Sequence, residues 1–422
     1  MKSFQDIRSL LLEQKEEFLQ SDLGTTREKL VEIKAYKDTP FPVVISGLRR
    51  AGKSTLLAQL AHSFYQDDEY FFVNFEDERF LSFTVSDFTK LHELLIELFG
   101  DRKTFLLDEI QNIEGWERFV NRMAASGYKF YITGSNASLL SKELGTKLTG
   151  RYLPVELFPF SFKEYLQFKK IALPDLKCLT TIKKGLLKKA FLDYLKNGGI
   201  PQAIQYPQLP IHKTMYDDII NRDIAARYKI IDIKPLKELS FYLLGNISSL
   251  VSYNKLKELL QLGSVNTISN YVDYLETAWL LFAMNRYAFS IKQQQIANKK
   301  IYSIDTGLTK SVAFSFSEDK GRFLENTVFL QLRRLYGDDI YYYKTEKGKE
   351  VDFYLPKKKM FIQVCQNLDN PKTHEREKQA LSEAMRETKG SSAVVLTEDE
   401  KINISINGKI ITTVPVYEWL LV

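Results

Sequence analysis

Two cysteines, Cys178 and Cys365, and four scattered histidines, His62, His92, His212 and His374, are all the thiol and imidazole ligands that this 422-residue chain carries. That scarcity excludes a zinc-stapled module and a disulfide framework. No apolar run approaches the roughly 20 residues needed to span a bilayer. Residues 1–6 lack the hydrophobic core of a signal peptide. These absences predict a soluble, cytoplasmic protein with no membrane partner. Internal repeats and low-complexity linkers are also missing. What is present is a globular composition, 44% hydrophobic and 13% aromatic, with length for two or three separately cored domains.

The most informative stretch is Gly47-Leu48-Arg49-Arg50-Ala51-Gly52-Lys53-Ser54, which spells G-x-x-x-x-G-K-S. The apolar run Pro42-Val43-Val44-Ile45-Ser46 before it predicts a buried strand, and Thr55-Leu56-Leu57-Ala58-Gln59-Leu60-Ala61 after it predicts a helix. In that context the backbone N–H groups from Gly47 to Thr55 cradle a triphosphate, Lys53 reaches its β- and γ-phosphates, and the Ser54 hydroxyl ligates Mg²⁺. The expected cofactors are therefore ATP and Mg²⁺.

An acidic strand end should supply the other half of the site. Thr104-Phe105-Leu106-Leu107-Asp108-Glu109 fits. Asp108 is expected to hold Mg²⁺ through its water shell and Glu109 to orient the attacking water. Residues 69–77 predict a further core strand, and residues 128–136 another that ends in small polar groups. Ser135 and Asn136 there either sense the γ-phosphate or simply cap the following helix. Arg151, just beyond, sits where an oligomeric ATPase places a finger that reaches a neighbour's nucleotide. Arg222 and Arg227 compete for that role, and a solvated surface position is the alternative for Arg151.

These segments (GLRRAGKSTLL, VNFEDERF, FLLDEIQNIEGWERFV, YITGSNASLL and LTGRYLPVELFPFSFKEYL), with NGGIPQAI, RDIAARY, LENTVFLQL, EVDFYL and QVC later on, resemble a bacterial and archaeal family of AAA+-type P-loop ATPases. The resemblance runs over nearly the whole chain. It implies an α/β fold: a P-loop core with a parallel sheet, a helical and winged-helix middle, and a C-terminal restriction-endonuclease-like α/β domain. The expected divisions are an ATPase core at 1–162, a helical lid at 163–233, a winged-helix region at 234–309 and a nuclease-like domain at 310–422. A homo-oligomer, such as a hexamer-like ring, acting on DNA is the leading functional expectation. An ATP-driven switch acting on a protein partner is the alternative, and an active ATP-dependent nuclease is the third.

The middle region carries its own signal. Residues 253–263 predict a helix stopped by glycine, and a second helix from about Thr267 points Ile268, Val272 and Leu275 inward, a helix-turn-helix spacing. Two strands joined by a polar loop are expected next, as a wing. Asn266, Ser269 and Asn270 on the exposed face suit nucleic acid, whereas Asp273 repels phosphate.

In the last third, the predicted α-β-β-β-α-β order resembles the PD-(D/E)XK nuclease core. The matching positions are Glu325 on the helix and Asp352, Gln363 and Cys365 on the strands. Gln363 and Cys365 depart from the pattern: the first brings no charge, the second no ammonium. Cleavage is therefore expected to be lost and binding to remain. Strand-end solvation is the alternative for Glu350 and Asp352. The net charge of +6, with a pI near 8.8, and the lysines at 177, 183, 184, 188 and 189 and at 357–359 mark either solvated faces or phosphate contacts.

Overall fold

Alternate residues of the strand Val43–Gly47 serve different cores: Val43 and Ile45 enter one apolar cluster, and Val44 enters another. A strand buried on both faces belongs inside a parallel sheet covered by helices. The computed structural model, which describes residues 4–135, 151–313, 320–368, 371–388 and 392–422, places it there. The chain forms two compact units, Met1–Phe158 and Pro159–Val422.

In the first unit, strands β1 (Val43–Gly47), β2 (Tyr70–Asn74), β3 (Thr104–Asp108), β4 (Lys129–Gly134) and β5 (Leu153–Leu157) stand in the order β2-β3-β4-β1-β5. All neighbours run parallel. The acidic strand β3 is thus separated from the glycine-loop strand β1 by β4. Registers Asn74↔Asp108 and Ser46↔Gly134 bring the C-terminal strand ends to one edge, where α/β sheets hold ligands. Helices α1 (Phe4–Leu19), α2 (Lys29–Ala35), α3 (Lys53–Phe64), α4 (Phe88–Phe99) and α5 (Trp116–Ala125) complete the unit. On one face Leu56, Leu57 and Leu60 of α3 pack with Ile45 and Leu106. On the other, Phe88 and Phe119 stack at 4.5 Å over Phe105 and Phe130, which stack at 4.9 Å. This is the α/β fold of a P-loop NTPase.

The second unit begins with helices α6 (Phe162–Phe168), α7 (Thr181–Asn197), α8 (Pro201–Gln205) and α9 (Ile211–Asp218), and a π-helical turn over Ile219–Ala226. The turn between α7 and α8 is clamped by Asp305. Its buried carboxylate accepts the Gly199 N–H at 2.6 Å and the Leu308 N–H at 2.8 Å. A side chain at Gly198, whose φ is +76°, would strike that carboxylate.

Next come α10 (Lys234–Gly245), β6 (Ser249–Val251), α11 (Tyr253–Leu259), α12 (Val265–Thr277), β7 (Leu281–Met284), α13 (Ile291–Ile296) and β8 (Lys299–Ser303). Ile268, Val272 and Leu275 of α12 are buried. The strands form an antiparallel sheet in the order β6-β8-β7. The connection between β7 and β8 is not the plain polar loop expected: its Gln-rich middle forms the short helix α13, with Ile291 and Ile296 exposed.

After α14 (Thr306–Val312) and α15 (Lys320–Tyr336), strands β9 (Tyr341–Lys344), β10 (Glu350–Leu355), β11 (Met360–Val364), β12 (Ser392–Thr397) and β15 (Val414–Pro415) form a mixed sheet. Its order is β15-β12-β11-β10-β9, antiparallel from β9 to β11 and parallel beyond. Helix α16 (Pro371–Glu387) covers one face through Leu381 and Ala384, and the hairpin β13 (Asn403–Ile406) and β14 (Lys409–Thr412) lies in the same cluster. No helix among the described residues is long and apolar enough to cross a membrane.

Candidate functional site

The glycine loop leaves β1 and turns into α3 through Gly52, whose φ of +93° few other residues tolerate. Leu48 and Ala51 are buried, Arg50 is exposed, and Arg49 lies 3.9 Å from Glu76. Lys53, the first residue of α3, is 5% exposed. Its ammonium donates to the carbonyls of Gly47 and Leu48, each at 3.3 Å, and stands 3.5 Å from Glu109 Oε1. The helix N-terminus adds its partial positive charge to the same spot. The arrangement can seat a phosphate chain.

Asp108 closes β3 and is buried. Burial pushes its pKa up, while hydrogen bonds from the Ser54 and Thr133 hydroxyls oppose that rise. Ser54 and Asp108 thereby put two hard oxygen donors side by side, the kind of donor set that a hydrated divalent cation takes. Glu109, the next residue, is left-handed at φ +50°. A non-glycine residue there is uncommon and is held by its surroundings. The Glu109 N–H donates to Thr133 Oγ1 at 3.1 Å, and Gln111 Nε2 donates to its carboxylate. This turn carries Glu109 off the strand direction and toward Lys53.

Two participants were not singled out in the sequence. Thr133 lies within the expected fourth strand, two residues before the polar end where a sensor was sought. Ser135 is half-buried and Thr55 half-buried; Asn136 lies outside the described residues. Arg27, far upstream, is 3% exposed. Its guanidinium donates to the Ala51 carbonyl at 2.5 Å and the Phe158 carbonyl at 2.6 Å, while its own N–H donates to Gln59 Oε1 at 3.0 Å. It pins the glycine loop from beneath. Arg151 is exposed, as are Arg222 and Arg227 in the second unit.

A second polar centre lies in the second unit. Glu325 of α15, Asp352 of β10 and Gln363 of β11 do come together: Asp352 N–H donates to Gln363 Oε1 at 3.2 Å, and Val364 N–H donates to Asp352 Oδ2 at 2.9 Å. Cys365 points elsewhere. It sits in the apolar cluster under α16, and burial, with Glu377 and Asp352 near, pushes its thiol up to about 12. Cys365 brings no ammonium, but one reaches the cluster from another strand. Lys300 of β8, 2% exposed, lies 2.8 Å from Glu325, 2.8 Å from Glu350 and 2.9 Å from Asp352. Solvated strand-end carboxylates are thereby excluded for Asp352. Among the described residues no group of three or more His, Cys, Asp or Glu side chains is arranged to hold a metal. The lysine run on α7 is also partly spent internally, since Lys184 and Lys188 pair with Asp399 at 3.4 and 2.6 Å.

Residues 39–166 match the family described as AAA domain, residues 188–319 the domain of unknown function DUF8612, and residues 320–419 the domain of unknown function DUF4143. The uncharacterized protein MJ1544 of Methanocaldococcus jannaschii is 35% identical over 398 residues, spanning 90% of this chain and 88% of its own. An uncharacterized protein of Haemophilus influenzae is 33% identical over 362 residues, spanning 82% and 87%. The Walker-type ATPase PABY2304 of Pyrococcus abyssi superposes with a TM-score of 0.40 at 15% identity, covering 68% of this chain and 95% of that one. The chain therefore belongs to the same family as the M. jannaschii protein MJ1544, and its glycine loop and acidic strand end both lie within the stretch that matches the AAA domain.

Proposed function

We propose that this chain is a Mg²⁺-dependent ATP hydrolase that works as a homo-oligomer on DNA. The observation that carries the catalytic part is the Lys53–Glu109 approach at 3.5 Å across the mouth of the glycine loop. Lys53 neutralises phosphate charge; Ser54 and Asp108 would hold the cation, which would supply further charge neutralisation. Glu109, turned off its strand by the left-handed backbone, orients water for in-line attack. Thr133 keeps Asp108 and Glu109 in register. Arg151 is the leading candidate for a finger acting in trans.

The DNA part rests on the second unit. Helices α10 to α12 with the sheet β6-β8-β7 have the order of a winged-helix module, and the mixed sheet with α15 and α16 has the order of a restriction-endonuclease-like domain. We read both as binding elements. Measuring ATP turnover by the purified protein alone and with single-stranded, duplex and junction DNA tests this. Salt-sensitive stimulation supports the DNA reading, and indifference to all three DNA forms argues against it.

One observation favours the protein-partner alternative. Tyr274 of α12 stacks on Tyr228 at 3.7 Å, and Asp273 beside it is exposed, so part of the helix that would read DNA is covered or acidic. A switch acting on a protein would hydrolyse ATP without any response to DNA.

A further inference from the structure

A buried lysine surrounded by three carboxylates from two other segments is an unusual construction, because each charge taken out of water needs a partner in good geometry. Lys300 has three. They come from α15 (Glu325) and from two positions of β10 (Glu350 and Asp352), while Lys300 itself arrives from β8, 52 residues before Asp352. Two further hydrogen bonds tie the cluster down. Tyr302 donates its hydroxyl to Glu325 at 2.7 Å, and the Val364 N–H holds the second oxygen of Asp352.

The surroundings fix β8 in this position. Ser303 N–H donates to Asn326 Oδ1 at 2.7 Å, and Asn326 Nδ2 donates back to the Ser303 carbonyl at 3.0 Å. The Tyr302 ring stacks on Phe329 at 4.1 Å. The lysine is therefore delivered by a rigid strand and cannot swing aside as an exposed side chain would.

We propose that the Lys300 ammonium is the resident cation of this cluster: it stands where a divalent metal would bridge Glu325 and Asp352, and it keeps the second unit free of metal and unable to cut nucleic acid. This goes beyond the missing lysine at Cys365, since it assigns the silence to an occupied site rather than an incomplete one. It holds whether or not the ATPase reading does.

Charge balance agrees. Burial, and then Asp352 beside it, push the Glu325 carboxyl up to about 8. Burial works against the Lys300 ammonium, but the acidic groups beside it, Asp352 first, outweigh that and hold its pKa well above the ordinary lysine value.

The test is Mn²⁺ binding to the full-length, nucleotide-free protein, followed by electron paramagnetic resonance of the free ion. Parent and Asp352→Asn should bind the same number of ions. Lys300→Ala should gain one ion, lost again when Asp352→Asn is added. An ion bound by the parent and lost in Asp352→Asn overturns the proposal, as does a folded Lys300→Ala that gains none. Should Lys300→Ala fail to fold by circular dichroism, Fe²⁺-directed backbone cleavage of the parent decides. Absence of cuts near residues 350–352 supports the lock, and cuts there refute it. Omitting nucleotide keeps this outcome separate from any failure at Lys53.

Discussion

The hydroxyl of Thr133 donates to Asp108 while accepting the backbone N–H of Glu109, so one side chain on β4 fixes both acidic residues of the neighbouring strand end. Its removal leaves a buried carboxylate short of a donor and a strained backbone turn short of an acceptor. Thr133→Val, which keeps the shape, should lower ATP turnover by about 10²-fold, in line with loss of one positioned group. Nucleotide affinity should change only a few-fold. Turnover within a factor of two of the parent would remove Thr133 from the site.

Arg27 makes a different prediction, about stability. Arg27→Met retains the stem but abandons the carbonyls of Ala51 and Phe158 and uncaps the floor of the glycine loop. Each buried group left unsatisfied costs about 1–3 kcal/mol. Thermal unfolding should show the first unit destabilised, with weaker ATP binding. An unchanged melting profile would mean that this guanidinium is dispensable.

Asp305 is expected to dominate the stability of the second unit. Asp305→Ala strands the N–H groups of Gly199 and Leu308 in a buried setting and removes the cap of α14. A loss of about 2–4 kcal/mol follows from one lost cap plus one orphaned donor. Denaturant titration of the full chain checks it, and a shift below about 0.5 kcal/mol, the size of an ordinary surface change, would contradict it.

Cooperation between subunits is tested at Arg151. Arg151→Ala should bind ATP normally and hydrolyse it slowly, and mixing with Glu109→Gln subunits should restore part of the activity at hybrid interfaces. A monomer that hydrolyses at full rate at working concentration would dispose of a finger in trans. If so, the arginine acts alone or not at all.

What could be read from the chain divides by distance along it. Gly47 to Ser54 and Asp108-Glu109 are contiguous, and a strand–loop–helix context converts such motifs directly into geometry. Residues 128–136 located the right strand, but the small polar end drew attention past Thr133, because nothing local marks which residue faces a strand one pairing away. Arg27 sits in an ordinary charged stretch, two residues before Lys29, and gives no signal. Lys300 was hidden for a further reason. The nuclease pattern places its lysine at position 365, just past β11, whereas this ammonium belongs to a strand read as part of a wing. Only the close packing of β8 against α15 and β10 exposes that link.

The central claim, ATP hydrolysis at the Lys53–Glu109 site, is tested most directly by phosphate release from ATP and Mg²⁺ by the parent, Lys53→Ala and Glu109→Gln, with nucleotide binding measured in parallel. The account predicts turnover by the parent and loss of binding or hydrolysis in Lys53→Ala. For Glu109→Gln it predicts ATP still bound but hydrolysis slowed by on the order of 10²-fold or more. Equal turnover in Glu109→Gln and the parent would contradict it.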